Sequence, residues 1–462
     1  MQDETGRAEG SVTVTENGVF SISKEELKVP LGDGVSILTG ALHDVCFTQS
    51  TPLAHDLSTV LGAVRCADRS ILRKHARGWG RRVFITLPVY ELNVWRQGGV
   101  VHSLEDVLQY LTGDEWSVRF VKRRRKPVLT GQTSLQMKPG KALVFVPYSH
   151  GLDSYAQTEL CAEGDSQVDV IPVHLCFAHK EKSVRGQRGF QRSRVAPVPV
   201  SASVYEPKNA EQSFRTRPFL YDSLAAYAAF LSKGGDVLIP ENGQGSLGGS
   251  LVRLGSEAPL RSCHPGFTSR LSKFFGYLTG QDVKFLHPAL FKTKGQVFTE
   301  LHKIRPNSAE WLLAHSSCSY DSRHANREGK RVHCGVCGNC VLRRMAAHAA
   351  GIEDVTAYRV DSLTASSISE ALVRDDDAPV PKTYNDVARN AVRSMQRLAD
   401  QVMLDGRYRV AAEAESLAHA LGVSRSEARD SLNLMLQQHT YEWRRFVEDC
   451  GRSSWVAEFA RG

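Results

Sequence analysis

Short, unbroken apolar runs separated by helix-periodic segments dominate the middle of the chain. Ala142-Leu143-Val144-Phe145-Val146 follows a Pro139-Gly140 turn, and similar runs recur at residues 168–177, 195–204 and 236–239. A run that is apolar at successive positions suits a central parallel strand covered on both faces. Before the fourth run, Leu224, Ala225, Ala228 and Leu231 fall on one helical stripe. Strands alternating with helices predict an α/β domain with a doubly wound, mostly parallel sheet, expected over residues 135–355. Its ligands should lie beyond the carboxyl ends of the strands.

Both flanks read differently. Residues 1–134 carry strand-like runs at 83–89 and 117–121 around a helical stripe of Leu104, Val107, Leu108 and Leu111, which predicts an N-terminal α+β extension. Charge and paired prolines at 375–381 mark a solvated linker. Beyond it, Val387, Ala391, Met395, Leu398 and Val402 share one helix face, and Ser424 with Glu427 forms a capping-box pattern ahead of Leu432, Met435 and Leu436. A C-terminal helical region is expected over 356–462. It suits an extension of the central domain, an association surface or a partner-recognition module equally.

Composition narrows the class. Apolar residues make up 42% of the 462, with 37 glycines besides, so sizeable cores are expected. The chain has no apolar run of about 18 residues, and its start is polar, so we expect a cytoplasmic protein with no membrane span. Of the ten cysteines, Cys46, Cys66, Cys161, Cys176, Cys263 and Cys450 are scattered, which fits a reducing compartment better than a disulfide framework. A net charge of +8 favours anionic ligands. The basic run 122–126 suits either nucleic-acid contact or a charged, protected edge. Charge alone does not favour nucleic acid.

After the first central run comes Pro147-Tyr148-Ser149-His150-Gly151-Leu152-Asp153-Ser154. Small residues there let consecutive backbone amides form an anion cradle, and a helix opening near Ser154 adds its amino-terminal dipole. Ser149 and Ser154 supply hydroxyls. Asp153 repels bare phosphate oxygens, so its natural role runs through Mg²⁺. An ordinary strand-turn-helix corner with a Ser or Asp cap is the plain alternative. The segment lacks the lysine and glycine spacing of a Walker A loop.

A second constellation is Cys318 with Cys334, Cys337 and Cys340. Four soft thiolates suit tetrahedral Zn²⁺ and leave no open position, so the metal would be structural. It should staple the segment around 318 to a helix starting near Val341. An iron–sulfur cluster or free thiols are the alternatives, and His333 stands close enough in sequence to compete as a ligand.

The loop resembles the Ser-Gly-Gly-x-Asp-Ser signature of the PP-loop ATP pyrophosphatases: Ser149, Gly151, Asp153 and Ser154 match, while His150 replaces the first glycine. Further islands follow in order: 214–220 with the alanine-rich stretch 223–226, Leu238 to Gly243, Thr293-Lys294-Gly295, the cysteines, and 351–354. Together, over about residues 140–355, they resemble the QueC-like 7-cyano-7-deazaguanine synthase family. That resemblance implies that ATP activates the carboxylate of a 7-deazaguanine acid as an adenylate. Ser149, His150, Gly151, Leu152, Asp153 and Ser154 would bind ATP and Mg²⁺. Asp153, Ser154, Arg217 and Lys294 would serve the chemistry, and Glu241 and Asn242 would read a guanine-like edge.

Departures carry their own implication. Residues 177–181 replace the family's Tyr-Gly-Gln-type segment, Arg217-Pro218 replaces Arg-Asn, and both ends are extended. This is similar to the long members found in antiviral defence clusters such as the Qat systems. It implies transfer of the activated acid to an amine, the amino terminus of a partner protein encoded nearby. Synthesis of the free nitrile, and an inactive scaffold disabled by His150, are the competing expectations. Oligomeric state is not legible.

Overall fold

The computed structural model describes residues 7–18, 20–23, 26–74, 78–127, 129, 140–177, 196–253, 255–320, 325–327, 330–373, 382–403 and 406–462. Pro139, the departure at 178–181, Val195 and the linker at 375–381 lie outside the described residues. Two compact units divide the chain: residues 1–149, 164–240 and 255–287 form the first, and residues 150–163, 241–254 and 288–462 the second.

The first unit holds the strands β1 (Ala8–Thr15), β2 (Ser21–Ile22), β3 (Glu26–Pro30), β4 (Val35–Leu38), β5 (Arg81–Val89), β6 (Glu115–Lys122), β7 (Ala142–Pro147), β8 (Val168–Phe177), β9 (Val198–Val204), β10 (Asp236–Leu238) and β11 (Phe285–Leu286). They form a five-stranded sheet, β2-β3-β1-β5-β6, and a six-stranded sheet, β11-β10-β7-β8-β9-β4. Pairing is parallel except for β2 with β3 and β4 with β9.

The four central runs fall on β7, β8, β9 and β10. Val144, Phe145 and Val146 are buried in succession, as two covered faces demand. Chain order within the second sheet explains its ligand potential. The path starts at β7, moves outward through β8 and β9, then returns to the other side of β7 as β10 and β11. In parallel α/β sheets, such a reversal opens a crevice beyond the strand ends beside it. Here those ends are the ones that lead into Ser149 and Pro240.

The N-terminal elements build a sheet and also join the central one. Val35 pairs with Val204 and Leu38 with Ser201, so β4 closes the β9 edge. Val12, Ile85, Trp95, Leu104, Val107, Leu108 and Leu111 belong to the same apolar core as Phe145, Val173, Val200 and Phe219. Within it, Arg81 reaches Asp68 at 2.6 Å and Asp114 at 2.7 Å, and Arg73 reaches Asp114 at 2.6 Å, all fully buried. Asp68 also accepts the Thr216 amide and hydroxyl, both at 2.9 Å. Desolvating such charges is tolerable only when each has partners, and this network supplies them. The basic run prolongs β6, an edge strand: Lys122 donates to Tyr90 O, Arg123 covers the Tyr90 ring, and the Arg124 and Arg125 amides donate to Glu16.

Helices make up most of the second unit: Leu152–Gly164, Gly243–Leu251, Lys294–Ile304, Ser308–Ala314, Gly338–Ala349, Tyr384–Ala399, Arg407–Leu421, Arg425–Cys450 and Trp455–Arg461. Ser424 Oγ accepts the Glu427 amide and starts the longest one. That helix serves two apolar clusters. Leu432, Met435 and Leu436 pack with Leu247, Leu290 and Leu398, whereas Trp443 and Phe446 pack with Met345, Tyr384 and Trp455. A third cluster gathers Leu152, Phe298, Leu301 and Trp311. The predicted stripe 387–402 faces these cores, with Ala391 and Leu398 fully covered.

Candidate functional site

Loop and carboxylates come first. The helix Leu152–Gly164 begins two residues earlier than expected, because Gly151 O accepts both the Tyr155 amide at 3.1 Å and the Ser154 hydroxyl at 2.9 Å. Asp153 therefore sits in the first helical turn, where amino-terminal potential favours negative charge. His150 has φ +57°, a left-handed conformation that glycine adopts without penalty and that costs other residues about 1 kcal/mol. The turn thus keeps the shape expected of a glycine with a histidine in place. Packing holds it: His315 Nδ1 lies 3.4 Å from His150 O, Ser316 bridges Gly151, and the His315 ring stacks on Tyr155 at 4.1 Å.

Four residues from three distant segments of the chain meet in the second unit. Lys294 Nζ contacts Asp153 Oδ2 at 2.5 Å; the lysine is almost wholly buried, while 24% of the Asp153 side chain stays exposed. Asn242 Nδ2 donates to Asp153 Oδ1 at 3.1 Å and to Glu241 Oε1 at 2.7 Å. Asn242 Oδ1 accepts the Gly245 amide and so caps the helix Gly243–Leu251. Its amide is thereby committed within the protein. A Cβ at Gly245 would stand 2.4 Å from the Glu241 carboxyl, so only glycine lets Glu241 fold over that helix end. Removal from water, with the Asp153 charge next in weight, pushes the Glu241 carboxyl up to about 8, against the opposing pull of Lys294 and Asn242. The two carboxylates offer oxygen ligands of the kind Mg²⁺ shares with phosphates, and the Lys294 ammonium beside them adds positive charge.

The remaining candidates are Ser149, Arg217 and Leu152. Ser149 ends the first unit and is exposed. Arg217 opens the helix Arg217–Leu231 in the first unit, exposed, with its guanidinium 5.4 Å from the Tyr221 ring centre. Leu152 is buried in the third apolar cluster.

The sulfur atoms of Cys318, Cys334, Cys337 and Cys340 all lie within 4.8 Å of one another, and those of Cys334 and Cys340 are 3.8 Å apart. A tetrahedron with zinc–sulfur bonds of about 2.3 Å has sulfur–sulfur edges of roughly 3.8 Å, so this set is compatible with zinc. The Tyr320 and Cys334 amides point at Cys318 Sγ, and those of Val336 and Cys337 at Cys334 Sγ, at 3.3–3.4 Å. Such contacts stabilise thiolate. Gly335 makes the turn possible: its φ is +85°, and a Cβ would stand 2.1 Å from Val360 O. Cys337 stands at the N-cap position of the helix Gly338–Ala349, which starts ahead of Val341. His333 is outside the group, with its Nε2 accepting the Ser317 amide at 3.2 Å.

Sequence reading missed the residues that support these groups. Arg343, fully buried, donates to His315 O and Thr356 Oγ1 and so ties the cysteine-bearing helix to the segment that braces the loop. Gln244, His439 and Glu442 back the Lys294 turn. Only Thr293 had a local signal: with Gln296 it forms a full capping box.

The chain is similar to 7-cyano-7-deazaguanine synthases. Those of Brucella ovis, Brucella canis and Brucella abortus are each 38% identical to it over 102 residues. The match spans 21% of this chain and 37% of the length of each synthase. No family model matches. Among the described residues, no helix is long and apolar enough to cross a membrane.

Proposed function

We propose that this chain uses ATP to activate the carboxylate of a 7-deazaguanine acid, releasing pyrophosphate, and passes the acyl group to an amine. The observation that carries this reading is the meeting of Asp153, Glu241, Asn242 and Lys294 beside the first turn of the helix Leu152–Gly164. The partial likeness to the synthases supports the deazaguanine class.

In this reading the fold is of the PP-loop type, and the loop from Ser149 to Ser154 receives the phosphates. Asp153 and Glu241 would hold Mg²⁺, which would supply neutralising charge for the departing pyrophosphate. Lys294, released from Asp153 as phosphate enters, stabilises the same charge. A substrate carboxylate oxygen attacks the α-phosphorus and the bond to the β-phosphate oxygen breaks. An amine nitrogen then attacks the acyl carbon, loses a proton, and expels AMP. Asn242 acts as a brace between the two carboxylates.

The extended ends favour a macromolecular amine, the amino terminus of a partner protein, over ammonia. Synthesis of the nitrile is the second reading, supported by the name of the similar enzymes.

Purified protein with MgATP, 7-carboxy-7-deazaguanine and candidate partner proteins should release pyrophosphate and AMP, and intact mass should show an amide adduct on one partner. Free nitrile without an adduct would select the second reading. Asp153→Asn, which preserves shape but not charge, should slow pyrophosphate release by about 100-fold or more with its folding intact. Undiminished release from that variant would overturn the assigned site.

A further inference from the structure

We infer that His439 and Glu442 are positioning residues for Lys294, which makes the C-terminal helix Arg425–Cys450 a working wall of the proposed ATP site. This rests on the reading that Lys294 serves the phosphates.

Two polar arms leave that helix and end on neighbouring residues. In the first, His439 Nε2 lies 3.0 Å from Met395 O. A carbonyl only accepts, so Nε2 carries the proton and Nδ1 presents a lone pair. Gln244 Nε2, 3.0 Å from Nδ1, must therefore be the donor. The Gln244 amide is thereby oriented with its oxygen towards the Lys294 backbone N–H, which donates to it at 2.7 Å. One histidine tautomer thus dictates how the Lys294 backbone is held. Burial drives the His439 pKa down to about 4, so the ring stays neutral and the tautomer is kept.

The second arm ends one residue away. Thr293 Oγ1 donates to Glu442 Oε1 at 2.6 Å and accepts the Gln296 amide at 3.1 Å, while Gln438 Nε2 donates to the same carboxylate oxygen at 2.9 Å. Thr293 is the cap of the helix Lys294–Ile304. Gly295 permits the close approach: a Cβ there would stand 2.9 Å from Glu442 Oε1 and 2.8 Å from Ala349 Cβ.

His439 and Glu442 are three residues apart and so share a helix face. Thr293, His439, Glu442 and Gln244 are all buried. An apolar wall would support a helix end with less desolvation cost than a buried imidazole and carboxylate. Hydrogen bonds add direction. Both arms direct the turn from which the Lys294 ammonium reaches Asp153, where an error of about 1 Å costs on the order of 100-fold in rate.

The test compares His439→Phe, His439→Asn and Gln244→Met in the full chain, with zinc content and melting as checks on folding. Two quantities are read: pyrophosphate release with MgATP and 7-carboxy-7-deazaguanine, and mass-spectrometric acetylation of Lys294 by a limiting reagent. His439→Phe should lower kcat by about 10- to 100-fold with little change in KM, and Lys294 should be acetylated several-fold faster. His439→Asn, whose side-chain oxygen stands near the position of Nδ1, should recover most of both. Combining His439→Phe with Gln244→Met should be no worse than either alone, since both break one chain of bonds. Should His439→Phe fail to fold, Gln244→Met breaks the same chain from the other end and decides the matter. Unchanged acetylation of Lys294 in every folded variant overturns the inference, whether or not pyrophosphate is released. A wild-type protein that releases no pyrophosphate, while its variants alter Lys294 labelling as stated, overturns the catalytic reading and upholds the positioning.

Discussion

The carboxyl of Glu241 is the group whose protonation the surroundings change most usefully. Its pKa is raised from the ordinary carboxylate value to about 8 by burial, then by Asp153. The folded state therefore binds this proton more tightly than the unfolded chain does. Its contribution to stability is fully present at acid pH and is lost as pH rises from the ordinary carboxylate range through about 8. In the proposed site Mg²⁺ would compete with that proton, so its affinity should climb over the same interval. Titration of Mg²⁺ binding at pH 6 to 9 should show this rise in the wild type and a flat, weak response in Glu241→Gln. A pH-independent affinity in the wild type would remove Glu241 from the metal's surroundings. His150 belongs to the same scale. Its left-handed backbone shows a histidine holding a conformation that glycine adopts more readily.

At the level of elements, the four cysteines do more than close a local knot. Cys337 stands at the N-cap position of the helix Gly338–Ala349; Arg343 on that helix holds the His315 carbonyl; and His315 and Ser316 brace His150 and Gly151. A metal lost from the cysteines should loosen the loop through this chain of contacts. Cys337→Ser is expected to abolish stoichiometric zinc, lower the melting temperature, and increase hydrogen exchange at the amides of 150–154 as well as 334–340. Zinc analysis with exchange mass spectrometry checks both. Loosening confined to 334–340 would show the knot to be autonomous. The cysteines were legible because ligand type and spacing are local properties. The brace was not, since Arg343 and His315 have no pattern that pairs them.

For the whole molecule, the C-terminal region is integral to the second unit. Leu432, Met435 and Leu436 complete one apolar cluster, and Trp443, Trp455 and Phe446 much of another. Removing residues 425–462 would strip several large side chains from each, at about 2–5 kcal/mol apiece. Such a truncation should give insoluble protein, or protein without zinc and without a cooperative melt. A soluble, zinc-bearing truncated chain with a sharp transition would show the region to be an appendage. Sequence by itself pointed to the parallel core, because successive apolar residues at 144–146, in a chain where such runs alternate with helical stripes, suit a strand covered on both faces. It determined the candidate metal ligands too, because four thiols with that spacing need only a turn to meet. Tertiary structure alone decided that β4 joins the central sheet, since four residues carry too little pattern to reveal a partner across 160 others. Only the fold, likewise, could bring Lys294 to Asp153, 141 residues away, and set His439 and Glu442 behind it. Periodicity and ligand spacing are written in neighbouring residues, whereas a site assembled from distant segments exists only once chain topology has brought them together.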